Sequence, residues 1–333
     1  GKRAPRDRSQ ALRHAFQAAF LALNVWIGME FYFFVRYFET GGQSLRASRP
    51  PGVEGWLPIA SLMNLKVLLL TGETPRLHPA GMFLLMAFLA ASWVFRKSFC
   101  GWLCPIGTIS EYLWRLGRRL LHRNFRLPRG LDIGLRSLKY VLLGLFVYAV
   151  ASMPVPAIHA FLEGPYGAVD DVKMLNFFRF LGLTGGIVVA LLAAGSMLVQ
   201  NFWCRYFCPY GALMGFAALA SPLRIRRDPG LCIDCGKCSK ACPSALPVDK
   251  LITIQSAECT GCLQCVAECP AAGALFFSAP RRRRVPAWVT AAGIAAIFLG
   301  VCGYARLTGS WHTNLPERVY FELIPHANEL THP

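Results

Sequence analysis

Cys232-Ile233-Asp234-Cys235-Gly236-Lys237-Cys238-Ser239-Lys240-Ala241-Cys242-Pro243 is followed by a second run, Cys259-Thr260-Gly261-Cys262-Leu263-Gln264-Cys265-Val266-Ala267-Glu268-Cys269-Pro270. Both read C-x2-C-x2-C-x3-C-P, the two-cluster pattern in which the fourth cysteine of each run ligates the other cluster. Three thiolates at this spacing wrap three corners of an iron-sulfur cube from one tight loop, and the Cys-Pro turn sends the chain to the second site. The spacing therefore assigns Cys232, Cys235, Cys238 and Cys269 to one [4Fe-4S] cluster, and Cys259, Cys262, Cys265 and Cys242 to another. C-x2-C pairs also bind zinc, but two complete four-cysteine runs, each closed by proline, exceed what a zinc site requires. A domain this small has little core of its own, so its metal centres would hold it together.

Upstream, a second motif is also duplicated. Phe99-Cys100-Gly101-Trp102-Leu103-Cys104-Pro105-Ile106-Gly107 recurs as Trp203-Cys204-Arg205-Tyr206-Phe207-Cys208-Pro209-Tyr210-Gly211, with one constant offset at both cysteines, the proline and the glycine. On a continuous helix, cysteines at i and i+4 share one face. Two such pairs across a pseudo-two-fold axis offer four converging thiolates, Cys100, Cys104, Cys204 and Cys208, enough for a third centre of iron-sulfur type. Buried thiols packing the repeat junction, or redox-active pairs, are the alternatives. Of the 13 cysteines only Cys302 stands alone, in an apolar run, and reads as an apolar filler.

The remaining composition is that of a membrane protein. The chain has 333 residues, 54% hydrophobic and 16% charged, with a mean hydropathy of +0.40, which excludes a disordered chain, a secreted disulfide mini-protein and a plain soluble enzyme. A span of the hydrocarbon core takes about 20 helical residues. Five stretches, 15–38, 80–95, 138–157, 180–199 and 287–304, read as spans, the second being short. Two apolar pieces with internal polar residues, 56–70 and 172–178, read as interfacial or re-entrant. The fold class expected is thus a mainly α, polytopic membrane protein: two parallel repeats (1–111 and 112–220), an inserted two-cluster ferredoxin domain (221–280), a fifth span (281–305) and an outer tail (306–333). The basic stretch at residues 1–14 leads into an apolar run long enough to span, with no small-residue cleavage site after it, and reads as an uncleaved anchor.

The formal charge of +17 follows from topology. Residues 1–14, 96–139 and 205–284 hold 26 of the 35 Lys and Arg but only 8 of the 18 Asp and Glu. By the positive-inside rule these segments face the cytoplasm of a bacterial inner membrane and the tail faces the periplasm. The Arg281–Arg284 run reads as a stop signal before the last span. Nucleic acid is not an expected partner, because the basic residues flank spans and form no aromatic-interleaved face.

With both pairs of motifs in view, the chain from the first span through Phe277 resembles the polyferredoxin-like membrane proteins of the NapH and MauN type, whose core is shared with NosR and the copper-handling CcoG. No flavin-binding domain of the NosR kind and no immunoglobulin-like domain of the CcoG kind are expected in it, while a fifth span and the tail go beyond a four-span NapH. The resemblance implies electron transfer between quinol and a periplasmic chain, as a quinol dehydrogenase subunit in a complex with a cytochrome.

A core of about 30 Å is too wide for one electron hop, and no C-x-x-C-H haem-attachment motif is present, so a relay must come from a quinone, a partner's haem or the third centre. His78 and His159, both at the expected outer face, are candidates to hydrogen-bond quinol or ligate a haem. Glu30, the one acid well inside a span, is a candidate acceptor of quinol protons, and Glu111 reads as a solvated or paired helix residue. Two function classes follow: a respiratory electron-transfer subunit, or a maturation and metal-handling reductase supplying electrons for copper reduction or cofactor reactivation. Copurification with a haem protein distinguishes the first. The tail, with Trp311, His312, His326 and His332, has too few apolar residues for its own core and is expected either to dock on a periplasmic partner or to be loosely ordered.

Overall fold

The computed structural model describes residues 9–332; the basic residues 1–8 assigned to the inner face lie outside them. The chain is mainly helical. In order come α1 (Ser9–Glu39), α2 (Pro58–Thr71), α3 (Pro79–Val94), α4 (Pro105–Leu121), α5 (Arg129–Ser152), α6 (Val155–Leu162), α7 (Pro165–Ala168), α8 (Asp170–Arg179), α9 (Leu183–Leu198), α10 (Phe202–Tyr206) and α11 (Pro209–Leu219). Then follow β1 (Arg224–Arg227), α12 (Lys237–Ala241), β2 (Thr253–Ile254), α13 (Gln264–Ala267), β3 (Leu275–Ser278), α14 (Ala287–Leu307) and α15 (Glu317–Leu323).

Among the described residues, α1, α5 and α14 are long and apolar enough to cross a membrane. Helix α9 qualifies only together with α8, from which it is bent by 82°, and α3 is shorter. The expected fourth span, 180–199, thus begins three residues late, because the chain breaks at Phe180–Gly182. Only 17–22% of the apolar windows of α1, α5 and α14 is buried. Trp26, Leu145, Tyr148, Leu191 and Leu299 are exposed, a pattern that water does not tolerate over so large an area and lipid does.

Two compact units divide the chain. Of the described residues, the first comprises those up to 21, 88–143 and 189–298 and holds every cysteine except Cys302. Its only sheet among the described residues has the order β2-β1-β3, both pairings antiparallel, with Ile225 opposite Ile254 and Phe277. Ile225, Ile254, Leu275 and Phe277 are buried, and α12 packs against α13. Tight backbone approach joins the membrane part of this unit to the cysteine runs. Trp102 Nε1 donates to the Gly261 carbonyl at 3.1 Å, and Arg96 donates to Ala218 O and Ser256 O.

The second unit comprises residues 22–87, 144–188 and 299–333. Its apolar core gathers Phe31, Phe34, Val35 and Phe38 of α1 with Val53, Val169, Val172, Tyr320, Ile324 and Ala327. The last three belong to the tail. Lys173 Nζ donates to Ala327 O and Leu330 O, and Asn176 donates to Asn328. The tail is therefore neither loose nor in need of another protein to bury it: spaced apolar residues in and just after α15 give it one face, which lies on its own chain.

Candidate metal centres

The two C-x3-C-P motifs have the same local build, and it differs from the expected continuous helix. Cys104 and Cys208 are extended (φ −62°, ψ 119° and φ −77°, ψ 104°) and cap α4 and α11, whose first residues are Pro105 and Pro209. Proline disfavours the helical conformation in the residue before it while fitting the first helical position, so the helix is interrupted between the two cysteines. Cys100 lies in a π-helical turn, Phe99–Leu103, and Cys204 in α10. Each capping sulfur accepts a backbone hydrogen bond, from Gly107 N at 3.4 Å and Gly211 N at 3.2 Å. Glycine is required at 107 because a Cβ there would lie 2.5 Å from the Cys100 carbonyl.

The four thiols are near enough to act on one another electrostatically. Burial pushes each of them up, Cys100 to about 11, and they act on one another: Cys208 raises Cys100 further, and Cys208, Cys104 and Cys100 raise Cys204. The ferredoxin cysteines group likewise. After burial, Cys235 and Cys232 raise Cys269, and Cys269 raises Cys238. Cys242, pushed to about 12 by burial, is raised by Cys262 and Cys259 as well. Cys265 feels Cys262, Cys242 and Cys259, and after them Cys238 of the other set.

Cys242, Cys259, Cys262 and Cys265 line one pocket together with Ile225, Leu246, Val248 and Ile254. Apolar walls beside four cysteines suit a cluster that takes only sulfur ligands. Among the described residues no three His, Cys, Asp or Glu side chains are gathered as the ligands of a single metal ion. Cys235 is exposed and Cys232 and Cys238 are half-buried, so this set lies nearer solvent.

A second cavity, open on one side, is lined by Cys100, Cys204 and Cys262 together with Arg13, Lys97, Arg205, Glu111 and Glu258. It adjoins both the C-x3-C-P cysteines and the second ferredoxin set. Around it cations outnumber carboxylates. Glu111, buried rather than solvated, receives Arg13 and Arg115, each at 2.6 Å; Asp132 receives Arg205 at 2.8 Å and Arg136 at 3.0 Å. Glu258 receives Lys139 at 2.7 Å and is also coupled to Lys97. Although burial opposes it, Arg13 with His14 and Gln17 holds Glu111 well below the usual carboxylate range.

Lys97, Lys139 and Glu258 did not emerge as site residues from the sequence. The available signal was the repeat itself: Lys97 and Asn201 stand three residues before Cys100 and Cys204, and both line this cavity.

In the second unit, His78 is fully buried, in a left-handed conformation (φ 53°). Its Nε2 donates to Gly167 O at 2.8 Å and lies 3.3 Å from Asp170; its Nδ1 lies 3.8 Å from Glu54 and 3.2 Å from Arg49 Nη2. Arg49 also pairs with Glu54 and Asp171. Both ring nitrogens are engaged and no lone pair faces outward, so His78 is a network residue and not the haem ligand considered from the sequence. His159 is half-exposed, 3.7 Å from Glu163. Glu30 is half-exposed and accepts a hydrogen bond from Ser48 at 2.8 Å.

Comparison with known proteins finds iron-sulfur binding domains in this chain. A model described as a 4Fe-4S binding domain matches residues 77–126 and again 181–227, once over each C-x3-C-P motif, and a 4Fe-4S dicluster domain model matches residues 224–270. The protein of Escherichia coli (strain K12) named "Putative electron transport protein YccM" is 48% identical over 326 residues, 96% of this chain and 91% of that one. The protein NirI of Paracoccus denitrificans is 32% identical over 64% of this chain and 31% of its own length, and the ferredoxin-type protein NapH of Haemophilus influenzae is 27% identical over 52% and 59%. No solved structure matches. The chain is a membrane protein with iron-sulfur binding domains, and it belongs to the family of NapH- and MauN-type polyferredoxin-like electron-transfer proteins related to NosR.

Proposed function

We propose that this chain is the iron-sulfur subunit of a respiratory electron-transfer complex, exchanging electrons between the quinone pool or a cytoplasmic donor and a periplasmic, cytochrome-type partner. The observation that carries the reading is the shared cavity in which Cys100 and Cys204 meet Cys262. It supports a reading of three cysteine groups in series, from Cys232, Cys235, Cys238 and Cys269, the set nearest solvent, through Cys259, Cys262, Cys265 and Cys242, to Cys100, Cys104, Cys204 and Cys208. [4Fe-4S] clusters bound by these groups supply reversible one-electron acceptance.

The rest is the work of the chain's own residues. Gly107 and Gly211 donate backbone hydrogen bonds to sulfur. Three cations lining the cavity, Arg13, Lys97 and Arg205, set against two carboxylates, Glu111 and Glu258, favour an anionic occupant. The basic loops of the first unit support a cytoplasmic location for the three cysteine groups. Glu30, half-exposed on α1, is the group proposed to take quinol protons.

Iron and acid-labile sulfide analysis tests the three-centre reading: about twelve irons per chain are expected, four for each cube, and about eight would leave only the ferredoxin pair. Redox titration followed by EPR, with and without a quinol analogue, tests the function. Clusters that neither a quinol nor a low-potential cytoplasmic donor reduces would overturn it, and Glu30→Gln with unchanged quinol-linked reduction would remove Glu30.

A further inference from the structure

Lys97 is 3% exposed, yet among the described residues no carboxylate lies within 4.0 Å of its ammonium and no hydrogen bond satisfies it, unlike Lys139, which holds Glu258 with two. A desolvated, unpaired ammonium is costly unless another negative group compensates it. Only a small part of the residue reaches the surface. What it faces is the cavity lined by Cys100, Cys204 and Cys262. Its electrostatic partners, after the cost of burial, are Cys100, Glu258, Cys208 and Cys204, and Glu258 is shared with Lys139, which bonds it directly. Asn201, at the equivalent place in the second repeat, is neutral, and Lys139, the other cation acting on Cys100 and Cys208, is held by Glu258.

We propose that Lys97 is a fixed counter-charge that raises the reduction potential of the centre held by Cys100, Cys104, Cys204 and Cys208. This rests on the three-centre reading. An added electron makes a thiolate-ligated cluster more negative, and a cation buried beside it stabilises the reduced form more than the oxidised form; net charge and solvent exposure are among the factors that set such potentials. The residue acts through the field at the centre and needs no bond to it. It is a positioning charge and not a ligand.

The test compares purified full-length wild type with Lys97→Met, which keeps length and removes charge, and Lys97→Arg, which keeps charge. Each is assayed for iron and labile sulfide and then titrated anaerobically by EPR. The expected result is about twelve irons in all three proteins and one midpoint displaced downward in Lys97→Met. The displacement should correspond to at least a tenfold change in the reduction equilibrium, about 59 mV for one electron, with Lys97→Arg close to wild type. Loss of about four irons in Lys97→Met, with full retention in Lys97→Arg, also supports a counter-charge. Unchanged midpoints in fully loaded Lys97→Met, or the same loss in both variants, overturns the inference alone. About eight irons in the wild type overturns the three-centre reading instead.

Discussion

Lys139 Nζ lies 2.7 Å from each carboxylate oxygen of Glu258, the residue immediately before Cys259, and the Tyr140 hydroxyl donates to the same carboxylate at 2.8 Å. The pair ties α5 to the second cysteine run, and Ser244, just beyond the first run, donates to the Glu258 carbonyl. Removing one member of a buried pair leaves the other uncompensated, at a cost of about 3–5 kcal/mol. Glu258→Ala should lower stability by that order in detergent denaturation followed by cluster absorbance, with irons lost early. A loss under about 1 kcal/mol would mean that the pair is solvated in solution, as surface pairs are.

Gly107 and Gly144 make opposite predictions for the same change. A methyl at 107 meets the Cys100 carbonyl at 2.5 Å, whereas nothing lies within 4 Å of one at 144, in the middle of α5. Gly107→Ala should cost about 1–3 kcal/mol as overpacking and reduce iron content, because the strained carbonyl belongs to a cysteine. Gly144→Ala should leave iron unchanged and stabilise the helix by up to about 1 kcal/mol. Thermal unfolding of the two variants side by side checks both signs.

The ferredoxin groups were legible because their ligands are local in sequence, three of four within seven residues. The C-x3-C-P repeat was legible as a duplication, while its helical reading failed at the proline, which forces Cys104 and Cys208 out of the helix. The network of Arg49, Glu54, His78, Asp170 and Asp171 was not legible: its members are scattered over more than a hundred residues with no spacing to link them, and a lone histidine beside an expected span looks the same whether it faces water or a buried carboxylate. Lys97 was hidden for the same reason, since a basic residue at a membrane end satisfies the positive-inside rule without further explanation.

The docking of the tail predicts its behaviour in the isolated chain. Tyr320 is buried against Phe34 (ring centroids 5.2 Å apart) and Phe38 (5.4 Å). Protease added to purified chain, with no other subunit present, should leave the segment up to Leu330 intact. Tyr320→Ala removes a core aromatic, a change that costs about 3–5 kcal/mol for comparable residues, and should open the tail to cleavage. Equal cleavage of both proteins would restore the reading in which the tail waits for a partner.

His78 and Glu54 together set a pH window for the second unit. Burial disfavours charge on both, but Asp170 and Glu54 outweigh it for His78, raised from 6.5 to about 9, while Arg49 and His78 outweigh it for Glu54, lowered from 4.5 to about 2. The His78 contribution is thus fully present below pH 6.5 and is lost as pH rises through about 9; the Glu54 contribution is present above pH 4.5 and is lost as pH falls through about 2. At 1.36 kcal/mol per pH unit each limb is on the order of 3 kcal/mol, and because the two groups share one interaction the limbs are not additive. The tail is part of this network, since the Thr313 hydroxyl donates to Glu54 at 2.6 Å and accepts from the His78 backbone at 3.1 Å. Asp170, raised from 3.8 to about 7 by its burial, adds a share that is present below pH 3.8 and is lost as pH rises through about 7, so proteolysis of the tail should rise as pH passes about 7 and rise further as it approaches 9. His78→Gln should flatten the alkaline rise, and an alkaline limb that persists unchanged in that variant would assign it to another group.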